Sequence, residues 1–233
     1  MYILPLCAAT LCYCTTGRHS GNYKGRPYSD AVYKNGAQKI PGKIQCEFYD
    51  LGGEGVAYHD TDTVNSGSGR LNPADGSYLH EFRIREHVDI SFTKARGIDD
   101  NVYNVVQPDM DQLYVGWTQP GEWTKYTVHV KKSGWYFVDL MYTAHDTGQV
   151  SIAVNDKIIS GPLDIPSTYT ALDTVPWRQW HHWDYLQMSF MPLKKGRQTI
   201  TLHTVAKGQM NYDYLVFKYF GKKKPGFGKG SFE

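Results

Sequence analysis

The chain has 233 residues, 41% hydrophobic, 14% aromatic and 21% charged, with a formal net charge of +2. That length suits one domain with tails, or two small domains, and it buries a core without metal or disulfide staples. The near-neutral balance offers no electrostatic footprint for nucleic acid, and no stretch beyond the N-terminus reaches the ~20 apolar residues of a membrane-spanning helix.

Residues 1–16 are apolar from Met1 to Cys14 and lack Lys or Arg, which is the texture of a secretory signal without its charged start. An exported protein is the expectation, whether secreted, periplasmic or held at the cell surface. A lipid anchor at one of the early cysteines is a variant of it, although Pro5 fits poorly ahead of Cys7. The cysteines Cys7, Cys12, Cys14 and Cys46 form neither a disulfide framework nor a zinc spacing, and Cys46 reads as a small buried apolar residue. Residues 17–39 are polar with scattered Gly and Tyr, and read as a linker or lead-in.

From Ile40 the texture changes to short alternating runs separated by Gly, Pro, Asn and Asp. Trp123–Val130 (WTKYTVHV), Trp135–Tyr142 (WYFVDLMY), Val150–Ile158 (VSIAVNDKI), Gln198–Val205 (QTITLHTV) and Tyr212–Phe217 (YDYLVF) are the clearest. Alternation gives each run a core face and an outer face, and Lys131-Lys132-Ser133-Gly134 and Asn155-Asp156 read as turns between them. No convincing amphipathic helix interrupts the series, so residues 40–220 are predicted to form an all-β sandwich of antiparallel sheets. Residues 64–112 read as long connecting loop around one strand, His87–Phe92, and a loop of that length is a place to look for function. Residues 221–233 read as a basic, Gly-rich, solvated tail.

Four segments carry a family resemblance. They are Ile40-Pro41-Gly42-Lys43-Ile44-Gln45-Cys46-Glu47-Phe48-Tyr49-Asp50 with the following GGEGVAYHD, then YVGWTQPGEWTKYTVHV (Tyr114–Val130), PWRQW (Pro176–Trp180) and MNYDYLVF (Met210–Phe217). In this order, over roughly residues 40–220, they resemble carbohydrate-binding module family 6 and its relatives. The resemblance implies a jelly-roll β-sandwich that binds polysaccharide or oligosaccharide and does no chemistry of its own; a monomer is the expectation. It also implies a structural calcium, with Gln45, Glu47 and Asp213 at the matching positions. Hard oxygen ligands suit that ion, and Gln45 and Glu47, two apart, would share a strand face.

The same resemblance places a sugar site in the loops at one edge, with Trp117 and Trp177 flanking a ring and Asn211 bonding its hydroxyls. The apolar C–H face of a pyranose suits a flat aromatic partner, and its hydroxyls want a few placed polar groups. Asp60 and Glu54, after the first strand, are further candidates for that polar role. Trp123 matches a residue of a second cleft on the sheet face, and a packed position is the competing reading for it. Trp180 and Trp183 add aromatic surface near the proposed site.

Enzyme readings are weaker. His181 and His182 are adjacent and on a strand would point to opposite faces, so they read as packing or exposed side chains. No G-x-S-x-G, P-loop or H-E-x-x-H pattern is present. A small β-sandwich glycoside hydrolase or polysaccharide lyase is the main alternative, and a structural sandwich of a cell-surface assembly is the third.

Overall fold

The computed structural model describes residues 23–226. The signal-like segment 1–16, with Cys7, Cys12 and Cys14, and the last part of the tail lie outside the described residues. Among the described residues no helix is long and apolar enough to cross a membrane.

Two sheets face each other. The first has seven strands, ordered Gln38–Ile40, Trp123–Val130, Gly196–Ala206, Gly148–Val154 and Lys157–Ile158, with Tyr58–His59 and Leu163–Ile165 pairing at its margins. The second has six, ordered Asp184–Leu193, Gly134–Ala144, Met210–Gly221, Leu113–Val115 and Ile90–Phe92, with Gly42–Gln45 beside Met210–Gly221. From Trp123 onward the long strands switch sheets: Trp123–Val130, Gly148–Val154 and Gly196–Ala206 lie in the first, while Gly134–Ala144, Asp184–Leu193 and Met210–Gly221 lie in the second. That winding makes the chain a jelly-roll β-sandwich. The alternating runs do what their pattern dictates: Tyr126, Val128, Ile200 and Leu202 of the first sheet and Val138, Leu140, Leu215 and Phe217 of the second are all buried in one core. Each large side chain so buried contributes ~1.5–3 kcal/mol of transfer free energy.

The pairing departs from purely antiparallel at Gln38–Ile40, which runs parallel to Trp123–Val130. The chain then crosses to the other sheet, where Gly42–Gln45 pairs antiparallel with Met210–Gly221. Gly42 makes the crossing at φ +148, where a Cβ would lie 2.7 Å from the Lys39 carbonyl oxygen.

The lead-in is not a free linker from Tyr23 onward. Tyr23 donates its hydroxyl to Asp50 at 2.8 Å, Arg26 and Leu51 exchange backbone hydrogen bonds, and Tyr28 is buried against Phe48 and Phe82. Polar composition hid the part played by Tyr28, whose ring supplies the burial. Asp184–Leu193 is a full strand that alternation does not reveal, because a register shift between Gln187 and Ser189 and the proline at 192 break its period.

Residues 64–112 are mostly irregular, as expected, with one helical turn, Tyr78–Glu81, capped by the Ser77 hydroxyl. Cys46, buried and free, fits its reading as a small apolar residue.

Candidate functional site

At one edge of the sandwich, loops from four parts of the chain enclose an open cleft of about 510 Å³. Trp117 enters it just after the strand Leu113–Val115, Trp177 and Trp180 from the 3-10 turn Pro176–Trp180, and Asn211 from the start of the last strand. Leu71, Tyr114, Gln119, His181 and Gln209 complete the lining. Trp117 is 36% exposed and Trp177 53%, so neither indole is consumed by the core. The three residues expected at a sugar site therefore line one cleft.

The cleft is held by hydrogen bonds that leave Asn211 little freedom. Its Oδ1 accepts the Trp117 N–H at 3.2 Å, and its Nδ2 donates to Thr143 Oγ1 at 2.9 Å and to the Trp180 carbonyl at 2.8 Å. Both amide hydrogens are used, and the side chain is buried. The expectation that Asn211 is mainly a ligand for hydroxyls changes accordingly: it positions two tryptophans, and only a second lone pair on Oδ1 is open to a ligand. Trp117 itself sits at φ +48, an uncommon conformation for a bulky residue. Thr118 anchors the position on the far side through its N–H and hydroxyl, both on the Met210 carbonyl.

The tryptophan-bearing loop rests on a buried carboxylate. Asp173 takes two hydrogen bonds from the Arg178 guanidinium, at 2.7 and 2.8 Å, and one from His182 Nε2 at 2.8 Å. The Arg178 contact, with the other donors, holds the Asp173 carboxyl well below the usual carboxylate range. A second buried carboxylate, Asp99, accepts from the Trp183 indole at 2.7 Å, faces His181 Nδ1 at 2.8 Å, and takes the Lys94 N–H. Trp183 is thus fully buried and adds no surface, a correction to its expected place, whereas Trp180 lines the cleft and stacks on His145 with ring centres 4.3 Å apart. His181 and His182 are tied to different carboxylates, as adjacent residues pointing apart must be. Sequence reading missed Leu71, Tyr114, Gln119 and Gln209, none of which carries a signal at the level of residue type.

Asp60, Glu54 and Trp123 are not brought into this cleft. Glu54 pairs with His59, and its other oxygen accepts the Asp60 N–H. Trp123 lies beside His203 and Lys125 on the first sheet. Asp60 and Trp123 border a different hollow together with His59 and Glu122, but its volume is about 10 Å³. That is the space of about one water, on the order of 10–15 Å³, and does not admit a sugar ring. Burial, with Glu122, Asp89 and Asp62 nearby, pushes the Asp60 carboxyl up to about 7. Such a group is a candidate acid on electrostatic grounds, yet the hollow gives a substrate no room.

Gln45, Glu47 and Asp213 form a separate cluster. Strand Gly42–Gln45 ends at Gln45, and Glu47 lies in the following 3-10 turn Cys46–Phe48, so a shared strand face is not what joins them. Gln112 bridges the pair, accepting from Gln45 Nε2 at 3.4 Å and donating to Glu47 Oε1 at 3.0 Å. Gln45 Oε1, Glu47 Oε2 and both Asp213 carboxylate oxygens are buried without a hydrogen-bond partner among the described residues. Burial raises the Glu47 carboxyl well above its ordinary value, Asp213 adding to it, and burial pushes Asp213 up to about 8. Buried oxygens without donors are costly, and an all-oxygen set of two carboxylates and an amide is the donor chemistry a hard cation takes. No cluster of three His, Cys, Asp or Glu with metal-holding geometry occurs among the described residues.

The chain matches no protein-family model and no curated protein. Among solved structures it is similar to a Paenibacillus sp. cycloisomaltooligosaccharide glucanotransferase complexed with cycloisomaltoheptaose (13% identity, 76% of this chain, TM-score 0.44). It spans 18% of that enzyme's length. It is also similar to a family 35 carbohydrate-binding module from Clostridium thermocellum (20% identity, 54% of this chain and 85% of that one, TM-score 0.39). A third is the C-terminal CBM6 of a marine laminarinase from Zobellia galactanivorans (19% identity, 46% of this chain and 81% of that one, TM-score 0.39). Likenesses at these TM-scores carry no argument; the architecture rests on the chain's own strand pairing and the site on its own geometry.

Proposed function

We propose that this chain is a non-catalytic carbohydrate-binding module that grips a polysaccharide or oligosaccharide by stacking sugar rings in the Trp117–Trp177 cleft. The observation that carries the reading is that two partly exposed indoles, far apart in sequence, line one open cleft. Exposed aromatic surface gathered in a concavity is the mark of a ligand site, and the C–H face of a pyranose is a ligand such rings suit. Trp180 widens the apolar wall, and the free lone pair of Asn211 Oδ1 accepts one hydroxyl. Trp123 on the first sheet, and Asp60 and Glu54 in the loops beside Tyr58–His59, are left outside this binding reaction.

Within the same reading, Gln45, Glu47 and Asp213 hold a calcium ion. When bound, the ion would neutralise two buried carboxylates and tie the end of Gly42–Gln45 and the turn after it to the last strand. The four unpartnered oxygens support this part. Chelation by these residues serves the fold and not the sugar, which is met elsewhere. Secretion or display at the cell surface, and action as a monomer, complete the proposal.

The test is retention of the purified protein on insoluble glucan, xylan, mannan and chitin, with released reducing ends and unsaturated products measured in parallel. Retention without product supports the reading. Product release at enzyme rates promotes a hydrolase or lyase, and absence of retention on every glycan promotes a structural sandwich.

A further inference from the structure

The aromatic cleft does not end at its polar side. Gln119 and Gln209 line it, and the same two residues line a second hollow of about 540 Å³ with Pro120, Asp146, Thr147 and Lys207. Thr147 and Lys207 in turn line a third, of about 500 Å³, with Gln149 and Asp164. The three are joined edge to edge by shared side chains. Each is within the ~300–1,000 Å³ of a ligand site, more than one sugar ring requires.

The junction between the first two hollows is rigid. Gly208 packs so closely on the Thr118 backbone that a Cβ would lie 2.0 Å from the Thr118 carbonyl oxygen, and the Gln209 N–H donates to that same oxygen. Lys207 and Gln209, on either side in the crossing from Gly196–Ala206 to Met210–Gly221, are held at φ +52 and +60. Gln209's amide has no hydrogen bond to another described side chain or backbone group, and Gln119 uses only its Nε2, at 3.3 Å from the Trp117 carbonyl. Two amides with unused donors and acceptors, carried on a backbone fixed by the Gly208 contact, thus form a sill, with the apolar cleft on one side and a groove lined by Asp146, Thr147, Ser167 and Lys207 on the other. A single ring stacked between the tryptophans leaves that capacity idle, whereas a chain leaving the cleft crosses it.

We propose that the ligand is an internal stretch of a glycan chain running from the Trp117–Trp177 cleft over the Gln119–Gln209 sill toward Lys207, and not a single terminal sugar. This rests on the carbohydrate reading of the cleft and deepens it. The apolar cleft supplies anchorage and the sill reads the hydroxyls of the neighbouring ring, so affinity grows with chain length beyond what the aromatic cleft holds.

The experiment is calorimetric titration of the full chain with laminari-, cello-, manno- and isomalto-oligosaccharides from one to six rings. In the series that binds, affinity is expected to rise on going from one ring to three or more. Gln209→Ala and Gln119→Ala should weaken the longer ligands by roughly 3- to 10-fold, the contribution of a neutral hydrogen bond, and weaken the shortest bound ligand by less. Equal affinity for short and long ligands, or sill variants that bind the long ones as the wild type does, overturns the proposal while Trp177→Ala still weakens binding. A wild-type chain that binds no member of any series, or binds one without dependence on Trp177, overturns the carbohydrate reading itself and this proposal with it. Thermal melts of both variants check that the fold is intact.

Discussion

Asn211 accepts the backbone N–H of Trp117, 94 positions away, on the same side chain that donates to the carbonyl of Trp180. One buried amide therefore sets the positions of two walls of the cleft. Asn211→Ala orphans the Trp117 N–H, while the Trp180 carbonyl keeps its bond from Thr143 Oγ1 at 2.7 Å. The expected result is a stability loss of about 1–3 kcal/mol together with weaker glycan binding. Asn211→Asp should behave similarly, because it keeps the acceptor for Trp117 but faces the Trp180 carbonyl without a donor. Denaturant melts and affinity measured on the same samples check this. A variant that loses binding at full stability returns Asn211 to a direct ligand role.

The strands were legible where alternation was clean. Trp123–Val130 forms with its predicted bounds, and Asn155 and Asp156, at φ +49 and +65, make the predicted turn inside Gly148–Ile158. Asp184–Leu193 was not legible, since a shifted register erases the period that reveals a strand. Motif matching singled out Trp117, Trp177 and Asn211, which line one cleft, but could not show that Asn211's donors are already spent. It also could not separate Trp180 from Trp183: both sit in one aromatic run, and only the Asp99 carboxylate waiting for an indole N–H decides which is buried. Gln119 and Gln209 escaped notice because an amide in a turn carries no pattern until the turn is folded against its neighbour.

Calcium should raise the melting temperature and a chelator lower it, because an ion that binds only the native state stabilises by mass action. Asp213→Ala and Glu47→Gln should each remove most of the difference between the two conditions. Sugar affinity measured in chelator should persist for as long as the protein stays folded, since the cation residues lie outside the cleft. Differential scanning fluorimetry with added calcium or chelator reads the effect. A melting curve indifferent to both conditions eliminates the structural ion.

Asp60 gives the clearest pH dependence. Its carboxyl is raised from 3.8 to about 7 by burial, with Glu122, Asp89 and Asp62 adding to it, and burial raises Asp89 to about 6. His59 and Glu54 lie beside Asp60 and are paired with each other. Between about pH 4 and pH 7 the native state holds a proton that the unfolded chain has released, so stability falls as pH rises through this window. Asp60→Asn removes the loss. It should melt about 2–4 °C above the wild type at pH 8, the shift of about 1 kcal/mol in a chain of this size. The advantage should shrink to nothing below about pH 4, where both unfolded and folded carboxyls are protonated. An advantage constant across pH would assign the effect to packing.

The two tryptophans should separate binding from folding. Trp177 is half exposed on a turn fixed by Asp173 and Arg178, so Trp177→Ala removes recognition surface and little core. The expected cost in affinity is roughly 5- to 150-fold, that of truncating an anchor at about 1–3 kcal/mol, with stability within about 0.5 kcal/mol of wild type. Trp117 allows a sharper comparison because of its left-handed backbone at φ +48. Alanine keeps the Cβ that disfavours that conformation, whereas glycine does not. Trp117→Gly should therefore be more stable than Trp117→Ala by about 1 kcal/mol, reversing the usual order at an ordinary position. Both should lose binding equally, since both lack the indole. If Trp117 is instead held by packing in the core, both variants should unfold early, each losing well over ~1 kcal/mol relative to wild type. Paired melts of the two variants, with glycan affinity measured alongside, distinguish a strained residue kept for its ligand from one kept for the fold.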